Sequence, residues 1–197
     1  ARSPKLLLLD EPFSALDAPV RDELRRELRQ LQRETGISTV LVTHDPEEAA
    51  LLATEVMVIA EGTVLQSGSR RDVFGKPSSP EVARLLGIAN LFYGRVRPGG
   101  GIVCGDVEFD AWTDELEAGA PLWWCIRPEQ IAVGEDGDLD ALVVEVIDLG
   151  ATTEVVLQIG AELLLRGRGP LAFDLSPGER CRIDLPARAV AVWARSA

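Results

Sequence analysis

Apolar residues follow two different rhythms along this chain. Up to residue 89, short unbroken apolar runs alternate with stretches of helical spacing. Leu6-Leu7-Leu8-Leu9 reads as a buried strand and Thr39-Val40-Leu41-Val42 as a second. Between them Val20, Leu24, Leu28 and Leu31 recur at helical spacing, one apolar stripe on a helix otherwise rich in Arg and Glu. Asp17 and Pro19 mark its start, and Gly36, which tolerates the left-handed conformation, marks its end. Asp22 and Arg26 are spaced for a favourable i,i+4 pair. Pro46-Glu47-Glu48 opens a second helix with acids placed to complement its dipole. Val56 to Ala60 and Thr63 to Gln66 read as a hairpin closed at Glu61-Gly62. Two short helices near Arg70 to Phe74 and Pro80 to Leu86 follow, and the alternation predicts an α/β domain.

Past Asn90 the rhythm changes to short β-rich runs separated by Gly, Pro and Asp. They fall at Tyr93 to Arg97, Ile102 to Cys104, Leu122 to Arg127, Ala141 to Ile147, Glu154 to Ile159, Glu162 to Arg166, Arg180 to Leu185 and Ala189 to Trp193. Such spacing predicts a small all-β barrel or sandwich. A weak internal repeat runs through it. Ile126-Arg127-Pro128 with Ile131-Ala132-Val133 resembles Asp184-Leu185-Pro186 with Val190-Ala191-Val192, a hint of two similar half-barrels. The segment Lys76 to Pro80 reads as a local turn. The domain boundary is expected between Gly87 and Asn90, giving domains of residues 1–89 and 90–197.

Charge narrows the possible partners. The chain of 197 residues carries 20 basic and 32 acidic side chains, a net charge of -12. Split before Tyr93, it has 11 basic and 14 acidic residues in the first part and 9 and 18 in the second, about -3 and -9. The acidic second part argues against nucleic acid, which is bound by Lys and Arg, and against an anionic membrane surface. The three cysteines, Cys104, Cys125 and Cys181, are widely spaced, so free thiols are expected rather than a zinc or redox pair. No apolar run approaches the ~20 residues of a spanning helix, and the first residues show no signal-peptide pattern, which a truncated start would hide.

The candidate chemistry lies where the predicted strands end. Asp10 and Glu11 follow the leucine run, at the strand end where open α/β sheets place ligands. The first carboxylate can hold Mg²⁺ through its water shell, and the second can orient a water for attack on a phosphate. Glycoside hydrolysis suits this pair poorly, because its two carboxylates must flank a sugar and adjacent strand-end residues point to opposite sides. His44, the only histidine, follows the second strand and can reach the same rim, with a charge adjustable near neutral pH. Asp17 in Ser14-Ala15-Leu16-Asp17 also reads as a plain helix cap. Trp112, Trp123, Trp124 and Trp193 read as core packing or a subunit interface; a stacking surface for single strands is disfavoured by the acidic surroundings. Arg127, Arg166 and Arg168 read as an oxyanion site or as ordinary surface charge protecting strand edges.

Leu6 to Pro12, Ser14-Ala15-Leu16-Asp17 and Thr43-His44-Asp45 together resemble the rear half of an ATP-binding-cassette ATPase, with Walker B strand, catalytic Glu, D-loop and switch histidine in the family's order. Asn90 to Val96 and Ile126-Arg127-Pro128-Glu129 resemble the accessory OB-like (TOBE/MOP-like) domain of importer-type cassettes. The resemblance implies an α/β fold, part of a P-loop NTPase cassette domain, followed by an all-β OB-like barrel domain. It implies ATP and Mg²⁺, with Asp10 in the metal's water shell, Glu11 positioning water, His44 contacting the γ-phosphate, and Ser14 and Asp17 at a dimer interface. It further implies a homodimer of ATPase subunits, transmembrane permease subunits, an indirect role for a periplasmic or extracellular solute-binding protein, and a place on the cytoplasmic face of the cell membrane. The solute class it brings to mind is an oxyanion such as molybdate or sulfate, with polyamine and ferric-iron importers as alternatives. A small-anion-sensing or dimerising regulatory β module is a rival reading. The phosphate loop Gly-x-x-x-x-Gly-Lys-Ser/Thr and the signature motif do not occur in the chain. In the family, Ala1 to Lys5 lies just after the signature. The chain is therefore expected to be the C-terminal portion of a longer protein and, taken alone, not to bind ATP tightly.

Overall fold

The structure, a computed structural model, describes residues 5–113, 115–134, 137–169 and 175–195. It forms two compact units, Ala1–Ser78 and Ser79–Ala197. In the first, strand β1 (Leu6–Asp10) lies parallel to β2 (Ser38–Val42), with Leu8 opposite Val40 and Asp10 opposite Val42. A parallel pair needs a long crossover, and helix α1 (Ala18–Thr35) supplies it. Pro lies in its first turn, and Gly36 ends it at φ 63°, donating its amide to the Gln32 carbonyl at 3.0 Å. Helix α2 (Pro46–Leu52) follows β2. Strands β3 (Glu55–Ala60) and β4 (Thr63–Ser69) form the expected hairpin. Glu61 and Gly62 both have positive φ, as a tight primed turn requires. Helix α3 (Arg70–Gly75), capped by the Ser69 side chain, completes this unit.

The four-leucine run departs from expectation. Leu7 and Leu9 are half-buried, whereas Leu6 and Leu8 are 50% and 67% exposed, level with Val40 and Val42 at 51% and 55%. α1 covers only one face of the pair. Even there, Leu7, Leu9, Phe13, Leu24, Leu28 and Leu31 line an open groove of about 580 Å³ rather than a closed core. The buried residue of α1 is Arg25, not a member of its apolar stripe.

The second unit begins with helix α4 (Pro80–Leu85). Among the described residues ten strands follow: β5 (Asn90–Val96), β6 (Ile102–Cys104), β7 (Val107–Phe109), β8 (Pro121–Ile126), β9 (Ala132–Gly134), β10 (Leu139–Asp148), β11 (Thr153–Ile159), β12 (Leu163–Gly169), β13 (Arg180–Asp184) and β14 (Ala191–Ala194). They pair antiparallel in two five-stranded sheets, ordered β12-β11-β10-β13-β9 and β14-β8-β5-β6-β7. One hydrophobic core joins the sheets, from Ile102, Leu122, Trp124 and Ile126 on one side to Val143, Val155, Leu157, Leu165 and Ile183 on the other. The result is a β domain of two antiparallel sheets closed over one core. Trp124 is fully buried, its ring 4.9 Å from Phe92 and 4.8 Å from Phe109. Trp112, by contrast, is exposed. All three cysteines are free, and burial raises each thiol, Cys125 to about 11, which favours the protonated form.

The compact units divide before α4, earlier than the boundary expected near residues 87–90. Ala83 and Ile88 pack with Cys125 of β8, which draws the helix into the β unit. The faint sequence repeat has a clear structural counterpart. Replacing β5, β6, β7 and β8 by β10, β11, β12 and β13 carries one sheet order into the other, with β14 and β9 exchanged. In both halves a strand, a Pro-led 3₁₀ turn (Pro128–Gln130 or Ala187–Ala189, the latter after Pro186) and a short strand follow in order, and each short strand joins the opposite sheet.

Edge strand β12 is fastened by polar groups. Asn90, 1% exposed, donates its side-chain amide to the Arg166 carbonyl and accepts the Arg166 amide, both at 2.8 Å. Buried Glu154 on β11 accepts from Arg166 at 3.0 Å and from Arg168 at 2.8 Å. The Arg168 hydrogen bond, opposed by burial and helped by the charge of Arg166, holds the Glu154 carboxyl below its ordinary 4.5. Removing both arginines strands a buried carboxylate. The arginines are 55% and 37% exposed, so solvent already screens the pair. Replacing Arg166 and Arg168 together by Met is expected to cost this unit about 1–3 kcal/mol. Urea unfolding followed by tryptophan fluorescence reads it, because all four tryptophans lie here. A depressed carboxylate stabilises above its unfolded pKa and loses that contribution as pH falls through its folded value. The difference between parent and variant should therefore shrink on acidification below 4.5; a flat difference contradicts the assignment.

Candidate active site

Asp10 is the last residue of β1 and Glu11 the first beyond it. Glu11 has φ 43°, in the left-handed region that side chains rarely occupy and that costs about 1–3 kcal/mol. Three hydrogen bonds hold it there. Its amide donates to the Val42 carbonyl at 2.8 Å, and its carbonyl accepts the Ser14 amide at 3.3 Å and the Ser14 hydroxyl at 3.0 Å. The left-handed residue breaks the alternation of the strand. The Glu11 carboxylate meets the imidazole that follows β2, with Oε1 2.9 Å from His44 Nδ1.

His44 is held through its neighbours. Thr43 Oγ1 donates to Glu48 Oε2 at 2.6 Å and accepts the Asp45 amide at 3.0 Å. Asp45 caps α2, accepting the Glu47 amide at 2.8 Å. Arg25, reaching from α1, donates to Asp45 Oδ2 at 2.6 Å and Glu48 Oε1 at 2.8 Å. The imidazole itself is 74% exposed and the Glu11 carboxylate 44%. The hydrogen bond and charge of Glu11 are the main causes that raise the His44 pKa above its ordinary 6.5, with smaller contributions from Asp45 and Glu48. Nδ1–H donation to Glu11 leaves Nε2 as the second polar atom of the ring.

The structure thus brings Glu11 and His44 into contact and places Asp10 at the same sheet end, exposed and paired by backbone with Val42. Ser14 braces the backbone of Glu11. Asp17 occupies the N-cap position of α1, but its side chain makes no capping hydrogen bond, against the simple reading of it as a cap. Arg21 instead fastens that loop, donating to the Leu16 carbonyl at 2.8 Å. Asp22 pairs with Arg25 at 3.4 Å rather than with Arg26. Sequence reasoning missed Arg25, Thr43 and Glu48. The one usable signal was the charge complementarity between an Arg-rich helix and the acidic first turn of the next.

Chemically, this is an open rim with one carboxylate–imidazole pair and a free carboxylate beside it. Among the described residues no group of three or more His, Cys, Asp or Glu can cage a metal. A hard cation held by a single carboxylate, waters and a ligand's phosphates fits this donor set, as Mg²⁺ requires.

The sequence profile of the TOBE domain matches residues 124–193. The sulfate/thiosulfate import ATP-binding protein CysA 1 of Chromobacterium violaceum is 40% identical over 98% of this chain and 56% of its own length. The spermidine/putrescine import ATP-binding protein PotA of Borrelia garinii is 36% identical over 79% of this chain and 46% of its own. CysA of Bacillus cereus is 51% identical over 56% of this chain and 31% of its own. The chain spans about half the length of the first of these relatives. With the strand ends, their carboxylates and the histidine in the order expected, the chain is similar to a C-terminal portion of an ATP-binding-cassette ATPase followed by a TOBE domain.

Proposed function

We propose that this chain supplies the water-activating side of a nucleotide site in the ATP-hydrolysing subunit of a solute importer. The observation that carries the reading is the Glu11–His44 contact at 2.9 Å, made by a left-handed Glu11 at the end of a parallel strand. In it Glu11 accepts a hydrogen bond from the attacking water and holds it in line. His44, protonated on both nitrogens, keeps Nδ1–H on Glu11 and presents Nε2–H to the terminal phosphate. Asp10 would be the residue that holds Mg²⁺, and the ion would supply positive charge to the phosphate oxygens. Ser14 and Asp17 lie on the loop that meets a second ATPase subunit. The proposed functional division assigns residues 1–89 to the cassette and 90–197 to the accessory domain.

The partners we propose are a second ATPase subunit, transmembrane permease subunits and, indirectly, a solute-binding protein, with the assembly at the cytoplasmic face of the membrane. No described helix is long and apolar enough to cross a membrane itself. The relatives divide between sulfate/thiosulfate and spermidine/putrescine import. That division suits a subunit whose chemistry faces nucleotide rather than solute. The anion-sensing alternative finds less support, because Arg166 and Arg168 already share the buried Glu154.

In the intact importer subunit, Glu11→Gln is expected to retain ATP binding and lose about 100-fold or more of turnover in steady-state phosphate release; unchanged turnover removes Glu11 from the mechanism. A second test uses the sole histidine. Proton NMR titration of His44 in this chain should give a midpoint above 6.5, and Glu11→Gln should move it back toward 6.5. A raised histidine contributes its attraction below the unfolded pKa and loses it as pH rises through the folded value. The His44–Glu11 attraction should therefore fade on the alkaline side. An unshifted midpoint in the parent contradicts the contact.

A further inference from the structure

We infer that Arg25 is a positioning residue for the hydrolytic site, holding the turn that carries His44 through a buried clamp on Asp45 and Glu48. The inference rests on the reading of Glu11 and His44 given above, but its geometry stands independently. Arg25 is 6% exposed and Glu48 4%, the only charged residues of the first unit buried among its described residues. A guanidinium and a carboxylate leave water only when each is paired. Arg25 Nη2 meets Asp45 Oδ2 at 2.6 Å and Glu48 Oε1 at 2.8 Å, and Nη1 meets the exposed Asp22 at 3.4 Å. The second Glu48 oxygen accepts the Thr43 hydroxyl at 2.6 Å, and that hydroxyl accepts the Asp45 amide at 3.0 Å.

The consequence lies in the spacing. Thr43 and Asp45 flank His44, and both are tied into the clamp, whereas the imidazole between them is exposed. An exposed side chain holds one geometry only if its backbone is fixed, and here fixation comes from α1, 20 residues earlier in the chain than Asp45. The same helix fastens the Ser14–Asp17 loop through Arg21 and the Leu16 carbonyl. One helix face therefore sets both loops that border Glu11. Arg suits the position better than Lys, because its planar fork reaches two carboxylates at once.

The test reads the imidazole directly. In this 197-residue chain, long-range proton–nitrogen correlation at a pH where the ring is neutral should show the Nδ1–H tautomer, which donates to Glu11. Arg25→Met and Glu48→Gln should shift the ring toward the Nε2–H form that free imidazole favours, and Arg25→Lys should restore part of the parent signal. Exchange protection of the Glu11 amide, bonded to Val42 in the parent, shows that the strand pair remains folded. Should Arg25→Met lose that protection, Asp45→Asn removes one arm of the clamp and is read the same way. In the intact importer subunit, Arg25→Met should lower kcat by about ten-fold or more with KM for ATP within about two-fold, and Arg25→Lys should recover much of it. A parent-like tautomer and kcat in Arg25→Met and Asp45→Asn, with the strand pair protected, overturns the inference. If Glu11→Gln keeps full turnover while the tautomer shifts as expected, the hydrolytic reading fails and the clamp stands.

Discussion

A single backbone conformation sets the geometry of the candidate site: Glu11 leaves β1 with φ 43°. Had the chain stayed extended for one more residue, Asp10 and Glu11 would point to opposite sides of the sheet, as strand pleating dictates. The left-handed turn instead delivers the Glu11 carboxylate to His44 at the end of the neighbouring parallel strand. The cost of that conformation is offset by three local hydrogen bonds, two of them to Ser14. The loop after β1 is thus part of the site's construction as well as a candidate contact surface.

Around that turn, charge does the work usually left to apolar packing. The apolar stripe of α1 borders an open groove, and its buried residue is Arg25. Ionic clamps between helix and turn are directional, whereas leucine contacts are not. A buried Arg between two carboxylates therefore specifies where the turn lies, even if its net contribution to stability is small. The β domain uses the same device at β12, where Glu154 gathers two arginines and Asn90 occupies backbone donors and acceptors.

Much of this architecture was legible in the residues. Gly36, the Glu61-Gly62 turn and the alternating runs after residue 90 located most elements, because each carries its own local constraint. β7 and β9, three residues each, were missed. The leucine run was read as fully buried, but an unbroken apolar run does not reveal how many faces are covered. That His44 can reach the rim where Glu11 stands was expected from strand order, while the left-handed Glu11 was not, because nothing in its residue type favours that conformation. Arg25 escaped notice for a related reason: on a helix crowded with Arg and Glu, only the acids at Asp45 and Glu48, distant in sequence, distinguish it from its neighbours. The domain duplication lay near the threshold of visibility, faint in sequence and plain in strand order.

The central claim is that Glu11 and His44 serve one terminal phosphate. The most direct measurement is an experimental structure of the intact subunit carrying Glu11→Gln, with ATP and Mg²⁺ bound. The account predicts the γ-phosphate within hydrogen-bonding distance of His44, with residue 11 beside the line of attack. A phosphate bound away from this rim, or His44 turned from residue 11 with nucleotide in place, would contradict it.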